Sequence, residues 1–261
     1  MESHKVVIAV FTGTGNTLLM ARALADELDK RGRDVSLAPM ERPEKFILPK
    51  GAALGLATPL ACFSTYPTAW CFLDSLPEGK GREAFFLATM GGASGGMDGP
   101  IRRVLQDKGY KPVGSLTVVM PSNYANKTLP VEKNRQRIEK SETIVRKYAG
   151  DLCAGNTTWA SGGFLSPLFA RLARGRRSLR LFYKFFPLAV DTAKCIGCGI
   201  CHEICPEKNI TLINGRSSIG KSCQSCQRCV AFCPSEAISV PGKPAERYRS
   251  VSIKDIRALL G

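Results

Sequence analysis

Over its first 150 or so residues the chain alternates short apolar runs with longer amphipathic stretches. The runs Val6–Phe11, Val35–Leu37, Ala52–Ala57, Ala84–Thr89 and Leu116–Met120 are too short for helices and predict strands. Between them, apolar residues recur at helical spacing near Thr17–Arg31, Pro67–Leu76, Pro100–Lys108 and Val131–Tyr148. Alternating elements of this length predict an α/β architecture, a doubly wound five-stranded parallel sheet with helices on both faces. Such a sheet binds ligands beyond the carboxyl ends of its strands, at the point where the winding reverses.

The pattern then changes. No Asp or Glu lies between Asp151 and Asp191, while Arg171, Arg174, Arg176, Arg177, Arg180 and Lys184 do. Two apolar stripes, Leu165, Leu168, Phe169 and Leu172, then Leu179, Phe182, Tyr183 and Phe186, repeat at helical spacing, with Gly175 and Pro187 as breaks. We read two short helices that pack between domains and leave their arginines in water. The rival is a basic amphipathic face for a membrane surface or an acidic partner. A C-terminal amphipathic pattern (Val251, Ile253, Ile256, Leu259, Leu260) predicts a helical tail. The expected division is 1–150, a basic connector 151–190, a small cysteine-dense α+β domain 191–241, and the tail 242–261.

Composition narrows the class. With 261 residues and 44% hydrophobic content the chain can build one large domain or two small ones, which excludes disorder and collagen-like order. Lys and Arg outnumber Asp and Glu by 37 to 22, a net charge of +15. No recognition motif or aromatic platform accompanies that charge, so a nucleic-acid role is not expected. Val6–Phe11 is too short for a secretory signal core, and the chain is read as cytoplasmic. The uncharged stretch Gly51–Leu73 is long enough to span a bilayer, but Pro59, Pro67 and its hydroxyl residues fit a strand, a loop and a helix start better.

Eleven cysteines are present, eight of them between Cys195 and Cys233. Thiols of a cytoplasmic protein stay reduced, so a dense group points to metal rather than disulfides. The eight form two runs, Cys195-x2-Cys198-x2-Cys201-x3-Cys205-Pro206 and Cys223-x2-Cys226-x2-Cys229-x3-Cys233-Pro234. Each has the spacing of bacterial two-cluster ferredoxins, in which the fourth cysteine ligates the other cluster. Three thiolates at two-residue spacing wrap one corner of an iron–sulfur cube, and the fourth comes from elsewhere. Cys195, Cys198, Cys201 and Cys233 are therefore assigned to one [4Fe–4S] cluster, and Cys223, Cys226, Cys229 and Cys205 to the other. Zinc sites usually use two pairs of ligands, which fits a duplicated triplet poorly. Ile210 and Ile238 follow the two Cys-Pro pairs at similar offsets, as an internal duplication would place them. Cys62, Cys71 and Cys153 are read as packing thiols, and His202 as a solvated loop residue or a tuner of the first cluster.

After the first strand comes Thr12-Gly13-Thr14-Gly15-Asn16-Thr17, then a helix start. Glycines and hydroxyls at a strand–helix junction make an anion cradle, where backbone N–H groups and the helix dipole face the ligand. A Walker loop would end in Gly-Lys-Ser/Thr and a dinucleotide fingerprint would have glycine at 18, where Leu18 stands.

This loop resembles the FMN-phosphate loop of flavodoxins, and with the double cysteine motif the chain resembles fused flavodoxin–ferredoxin electron-transfer proteins. The resemblance implies FMN and two [4Fe–4S] clusters as cofactors. It implies phosphate contacts from Thr12, Gly13, Thr14, Gly15, Asn16 and Thr17. Ring contacts would come from the loop after the third strand (Thr58, Pro59, Leu60, Ala61), the loop after the fourth (Thr89, Met90, Gly91, Gly92), and Asn123 after the fifth. Long-loop flavodoxins sandwich the ring between aromatics; Gly91–Gly96 has none, which leaves one face open toward the ferredoxin domain or a partner. Tyr66 and Trp70 are divided evenly between ring contact and core packing.

The function implied is electron transfer between FMN and two clusters, exchanging with ferredoxin or a ferredoxin-dependent, acidic redox protein. No nicotinamide fingerprint is seen, so direct use of NAD(P)H is not expected. The alternatives are an FMN-dependent oxidoreductase that reduces a small quinone-like acceptor, and a non-catalytic iron–sulfur sensor or adaptor. No catalytic acid, base or nucleophile group stands out. Two all-cysteine clusters and an FMN phosphate would lower the charge of +15 to roughly +9 in the loaded protein.

Overall fold

A computed structural model describes residues 1–61, 64–92, 96–122, 130–160, 187–242 and 247–261. The first part runs β1 (Lys5–Val10), α1 (Asn16–Asp29), β2 (Asp34–Pro39), a short 3-10 turn (Pro43–Lys45), β3 (Ala53–Ala61), β4 (Ser64–Thr65), α2 (Pro67–Ser75), β5 (Glu83–Met90), α3 (Asp98–Asp107), β6 (Lys111–Val119) and α4 (Val131–Ala154). Five strands pair in parallel in the order β2-β1-β3-β5-β6, and β4 folds back antiparallel on the end of β3. Leaving β4 aside, this is the flavodoxin-like 2-1-3-4-5 order, whose switch point lies between β1 and β3.

The expected strands and helices are present, with instructive shifts at their ends. β3 continues through Thr58–Ala61 because Thr58 and Pro59 stay in register with Ala88 and Thr89, and Leu60 and Ala61 pair with β4. Those four residues are strand, not loop. β6 starts at Lys111 rather than Leu116, since Lys111 and Pro112 already pair with Glu83 and Ala84. The expected connector helices fall within 161–186, outside the described residues.

The second part carries β7 (Ala189–Val190), α5 (Ile200–Glu203), β8 (Ile210–Ile213), β9 (Arg216–Ile219), α6 (Arg228–Phe232), β10 (Ile238–Ser239) and α7 (Ile253–Leu260). β7 pairs with β10 and β8 with β9, both antiparallel. The duplication seen in the sequence is repeated in the backbone at a 28-residue offset, the distance from Cys195 to Cys223. Gly197 and Gly199 have positive φ, and so do Ser225 and Gln227 at the matching positions; Lys208 and Glu236 form a third such pair. Left-handed backbone is uncommon without glycine, so its recurrence here marks a loop shape imposed twice.

The two parts share their apolar interior. Ile204, Ala231 and Phe232 of the second part, with Ile256 and Leu259 of α7, are buried in one cluster with Val10, Leu18, Met20 and Leu24. Burial of a Phe or Ile side chain stabilises by roughly 1.5–3 kcal/mol each, so this seam resists separation. The C-terminal segment is thus a docked helix rather than a loose tail. Ser252 and Asp255 form a capping box at its start, and Arg22 of α1 pairs with Asp255 at 2.6 Å. Among the described residues, no helix is long and apolar enough to cross a membrane.

Candidate functional site

Beyond the carboxyl ends of the strands lies a cavity at the junction of four segments. Thr12, Gly13, Thr14, Asn16 and Thr17 line it from the β1–α1 loop, and Pro59, Leu60 and Tyr66 from the end of β3 and the turn after β4. Thr89, Met90 and Gly91 close it at β5, and Met120, Pro121 and Ser122 after β6. Most of the residues expected around a flavin therefore share one wall. Gly15, Thr58, Ala61 and Gly92 do not line it, and Asn123 lies outside the described residues.

The hydroxyls of the loop are not equivalent. Thr17 and Thr89 share a hydrogen bond of 2.8 Å, so that pair ties α1 to β5. Thr58 is engaged with Thr65. The Thr12 hydroxyl is fully buried with no hydrogen-bond partner. A buried hydroxyl without a partner costs about 1–3 kcal/mol, and an anion held in the loop would satisfy it. Asn16 donates from Nδ2 to the Pro121 carbonyl at 3.0 Å and accepts from the Tyr248 hydroxyl at 2.6 Å. Gly15 caps α1 at φ 106°, and a Cβ there would lie 2.6 Å from Val251 Cγ2. The Ser250 amide donates to the Thr14 carbonyl at 3.1 Å. The segment before α7 thus lies along the outside of the loop.

Cys226 also lines the cavity. A Cβ on Gly13 would be driven into the Cys226 carbonyl oxygen, so glycine there lets the cysteine loop approach the β1–α1 loop. Next to it, the Arg228 guanidinium is buried and donates to the carbonyls of Thr12 and Ile204 and to Glu41. Gln224 exchanges hydrogen bonds with Thr68 at the start of α2. Arg228, Tyr248, Ser250 and Gln224 were not singled out in the sequence. An arginine between the second and third cysteines of a cluster motif is a signal for Arg228; the others carry none.

The eight cysteines fall into two groups, Cys195 meeting Cys201 at the Ser217 hydroxyl that both approach. Cys201 is within electrostatic reach of Cys233 and Cys198. Cys226 is within reach of Cys223 and Cys205, and Cys229 of Cys226, Cys223, Cys205 and, across the groups, Cys201. Backbone amides repeat around them: Asn209 N–H donates to Cys205 Sγ and Ala237 N–H to Cys233 Sγ, each at 3.4 Å. Burial pushes the thiols of Cys201, Cys223 and Cys229 up, and that of Cys226 to about 12. Cys195 moves the other way, because the amides of Ser217 and Gly197 donate to it. Metal coordination deprotonates a thiol outright, so in the second motif it must overcome the cost of burial.

Seven of the eight cysteines are buried or half-buried: Cys195, Cys201 and Cys233 of the first group are buried, and Cys205 and Cys223 of the second are half-buried. Cys198 is exposed, and Ile196 and Ile213 beside the first motif are 64% and 57% exposed. Cys226 and Cys229 are buried. His202 is held by its Nδ1 against the Ile210 carbonyl at 2.5 Å and is not a free loop residue. Cys71 is exposed on α2, contrary to the packing role expected of it, while Cys153 is half-buried; Cys62 lies outside the described residues. Trp70 is core, bonded through Nε1 to Ser64 Oγ at 3.1 Å, whereas Tyr66 is buried yet reaches the cavity.

Residues 188–211, which hold the first four cysteines, match the family model of the 4Fe-4S binding domain. An uncharacterized ferredoxin of Methanocaldococcus jannaschii is 37% identical over 60 residues, which cover 20% of this chain and 75% of that protein. The chain belongs to the ferredoxin family. Its ferredoxin segment is an iron–sulfur electron-transfer module, built here onto a flavodoxin-like α/β domain. A Streptococcus pneumoniae flavodoxin superimposes with a TM-score of 0.41 at 19% identity, over 57% of this chain and 97% of its own. A 47-residue stretch is 51% identical to a UDP-N-acetylglucosamine–N-acetylmuramyl-(pentapeptide) pyrophosphoryl-undecaprenol N-acetylglucosamine transferase of Bartonella bacilliformis. That match covers 18% of this chain and only 12% of the transferase.

Proposed function

We propose that this ferredoxin carries electrons between an outer [4Fe–4S] cluster, at the exposed Cys198, an inner one, at Cys226, and FMN. The observation that carries the reading is the presence of Cys226 in the wall of the cavity formed by the Thr12–Thr17 loop. Cys195, Cys198, Cys201 and Cys233 would hold the outer cluster, and Cys223, Cys226, Cys229 and Cys205 the inner one. Thr12, Gly13, Thr14, Gly15, Asn16 and Thr17 would hold the FMN phosphate. The Thr12 hydroxyl, buried without a partner, fits that role. Thr58, Pro59, Leu60, Ala61, Thr89, Met90, Gly91, Gly92 and Asn123 remain the candidates around the ring. When bound, the flavin takes or gives one or two electrons and each cluster one, so the set converts between single and paired electrons.

The chain's own residues order that path. The ferredoxin segment turns its exposed Cys198 outward and its buried Cys226 inward, toward the flavin site. Gly13 removes the side chain that would hold the inner cysteine loop away. Electrons enter or leave where Ile196, Leu212 and Ile213 stand exposed at the first motif. The net charge of +15 suits an acidic redox protein such as a ferredoxin as the partner. The reading divides the chain into an FMN-binding domain (1–150) whose last helix runs on to Ala154, a connector (151–190) whose last two residues already pair with β10, a two-cluster domain (191–241) and a C-terminal segment (242–261) that closes back on the first.

Anaerobic purification with iron, sulfide and flavin quantified, followed by rapid reduction with a reduced ferredoxin, tests this. Iron should bleach before flavin in wild type. Gly15→Asp should remove FMN while iron content stays constant; unchanged FMN would overturn the loop assignment. Turnover of a small quinone that depends on bound FMN would favour an enzyme instead. Protein that binds clusters but never FMN would favour a sensor or adaptor.

A further inference from the structure

Among the described residues, Arg228 is the largest side chain with almost no solvent exposure, at 1%. An unpaired charge at such a site costs several kcal/mol, and its partners show where that cost is offset. Nε and Nη2 donate to the Thr12 carbonyl, Nη1 donates to the Ile204 carbonyl at 3.0 Å, and Nη2 also reaches Glu41. The guanidinium lies over the Phe11 ring, 5.5 Å from its centroid. Its charge interacts with Cys226 and Cys205 as well as with Glu41. One side chain therefore touches the residue before Cys205, faces two thiols of the inner group, and grips the first residue of the Thr12–Thr17 loop.

The duplicated motif supplies an internal comparison. At the 28-residue offset, the position of Arg228 is occupied in the first motif by Ile200. The repeated loop shape therefore needs no arginine here, and the cation is specific to the motif whose Cys226 lines the cavity. The first motif is met by Arg216, which donates to the Cys195 carbonyl from an exposed position where water screens it.

We propose that Arg228 couples the two cofactor sites: its buried charge raises the potential of the cluster held by Cys205, Cys223, Cys226 and Cys229, and its planar fork fixes the phosphate loop against that cluster. This rests on the cofactor assignment made above. Reduction adds one electron to the cluster without a proton, so a nearby fixed cation favours the reduced form. Glu41, its buried partner, opposes that effect. Arg228 is a positioning residue for the flavin, since it holds the Thr12 carbonyl while Thr12 lines the cavity.

The test compares Arg228→Gln, Arg228→Lys and Glu41→Gln in the full-length holoprotein. Each is titrated with a chemical one-electron reductant and followed by electron paramagnetic resonance, with iron content and FMN dissociation measured in parallel. Arg228→Gln should lower the inner cluster's potential and weaken FMN about tenfold. Arg228→Lys keeps the charge and loses the fork, so the potential should stay near wild type while FMN weakens. Glu41→Gln should raise the potential, a direction that mere structural damage would not produce. An unchanged inner potential in Arg228→Gln with full iron, or a lowered one in Glu41→Gln, overturns the proposal. Should both Arg228 variants lose iron, the direction in Glu41→Gln decides it. Wild-type protein that takes up both clusters but no FMN would sink the functional reading, whereas the potentials would still decide the role of the charge.

Discussion

The Tyr248 hydroxyl donates to Oδ1 of Asn16 at 2.6 Å, across 232 residues of chain. Burial pushes the Tyr248 phenol up, so it remains a donor at neutral pH. The same Asn16 amide donates to the Pro121 carbonyl at 3.0 Å, and so its orientation is held from both sides of the cavity. Tyr248→Phe removes one of these holds. A neutral hydrogen bond contributes about 1 kcal/mol, so FMN should dissociate about fivefold more readily while iron content is unchanged. Flavin fluorescence titration of the reconstituted protein checks this; unaltered affinity would mean that Pro121 alone orients Asn16.

The parallel sheet was legible because its periodicity is local: β1 and β5 read as unbroken apolar runs bounded by polar turns. The ends were less so. Thr58–Ala61 contains a proline and a threonine, and only pairing with β5 and β4 makes it strand. The cysteine spacing and the Thr12–Thr17 loop stand out because their chemistry needs residues close in sequence. Arg228, Tyr248 and Ser250 did not stand out as partners of that loop, because the docking of α7 and of the ferredoxin segment brings them there. No periodicity reports a contact between residue 16 and residue 248.

Cys205 belongs by sequence to the first motif and by position to the second group, within electrostatic reach of Cys223, Cys226 and Cys229. Cys205→Ala should therefore damage the inner cluster. Iron should fall to about half, since each cube holds four atoms, and the remaining paramagnetic signal should be that of the outer cluster, at Cys198. Loss of the cluster built on Cys195, Cys198 and Cys201 instead would show that each motif serves its own cube.

Ile256 is fully buried on α7, in the cluster that contains Leu18, Phe232 and Ile204. Ile256→Ala should cost about 2–5 kcal/mol and free the segment that lies on the Thr12–Thr17 loop. Both effects are measurable: earlier denaturant unfolding, and faster hydrogen exchange at residues 253–260 with FMN weakened. Destabilisation with unchanged FMN binding would show that the loop keeps its shape without the docked helix.

Ile196, two residues before the exposed Cys198, and Ile213, on the β8–β9 hairpin whose Gly215 meets Gly197, are both exposed. Apolar side chains left in water at such positions cost folding little to replace, so substitution there should act on a partner rather than on the fold. Ile213→Glu adds a negative charge to a basic protein at the point where an acidic donor would dock. Iron and flavin content should stay at wild-type levels, while the rate of reduction by a reduced ferredoxin should fall about tenfold, as loss of a central interface contact does. Reduction by a small neutral donor should be unaffected, because it needs no docking surface. Equal slowing with both donors would place the defect in the cluster itself, and no slowing with either would move the port away from this tip.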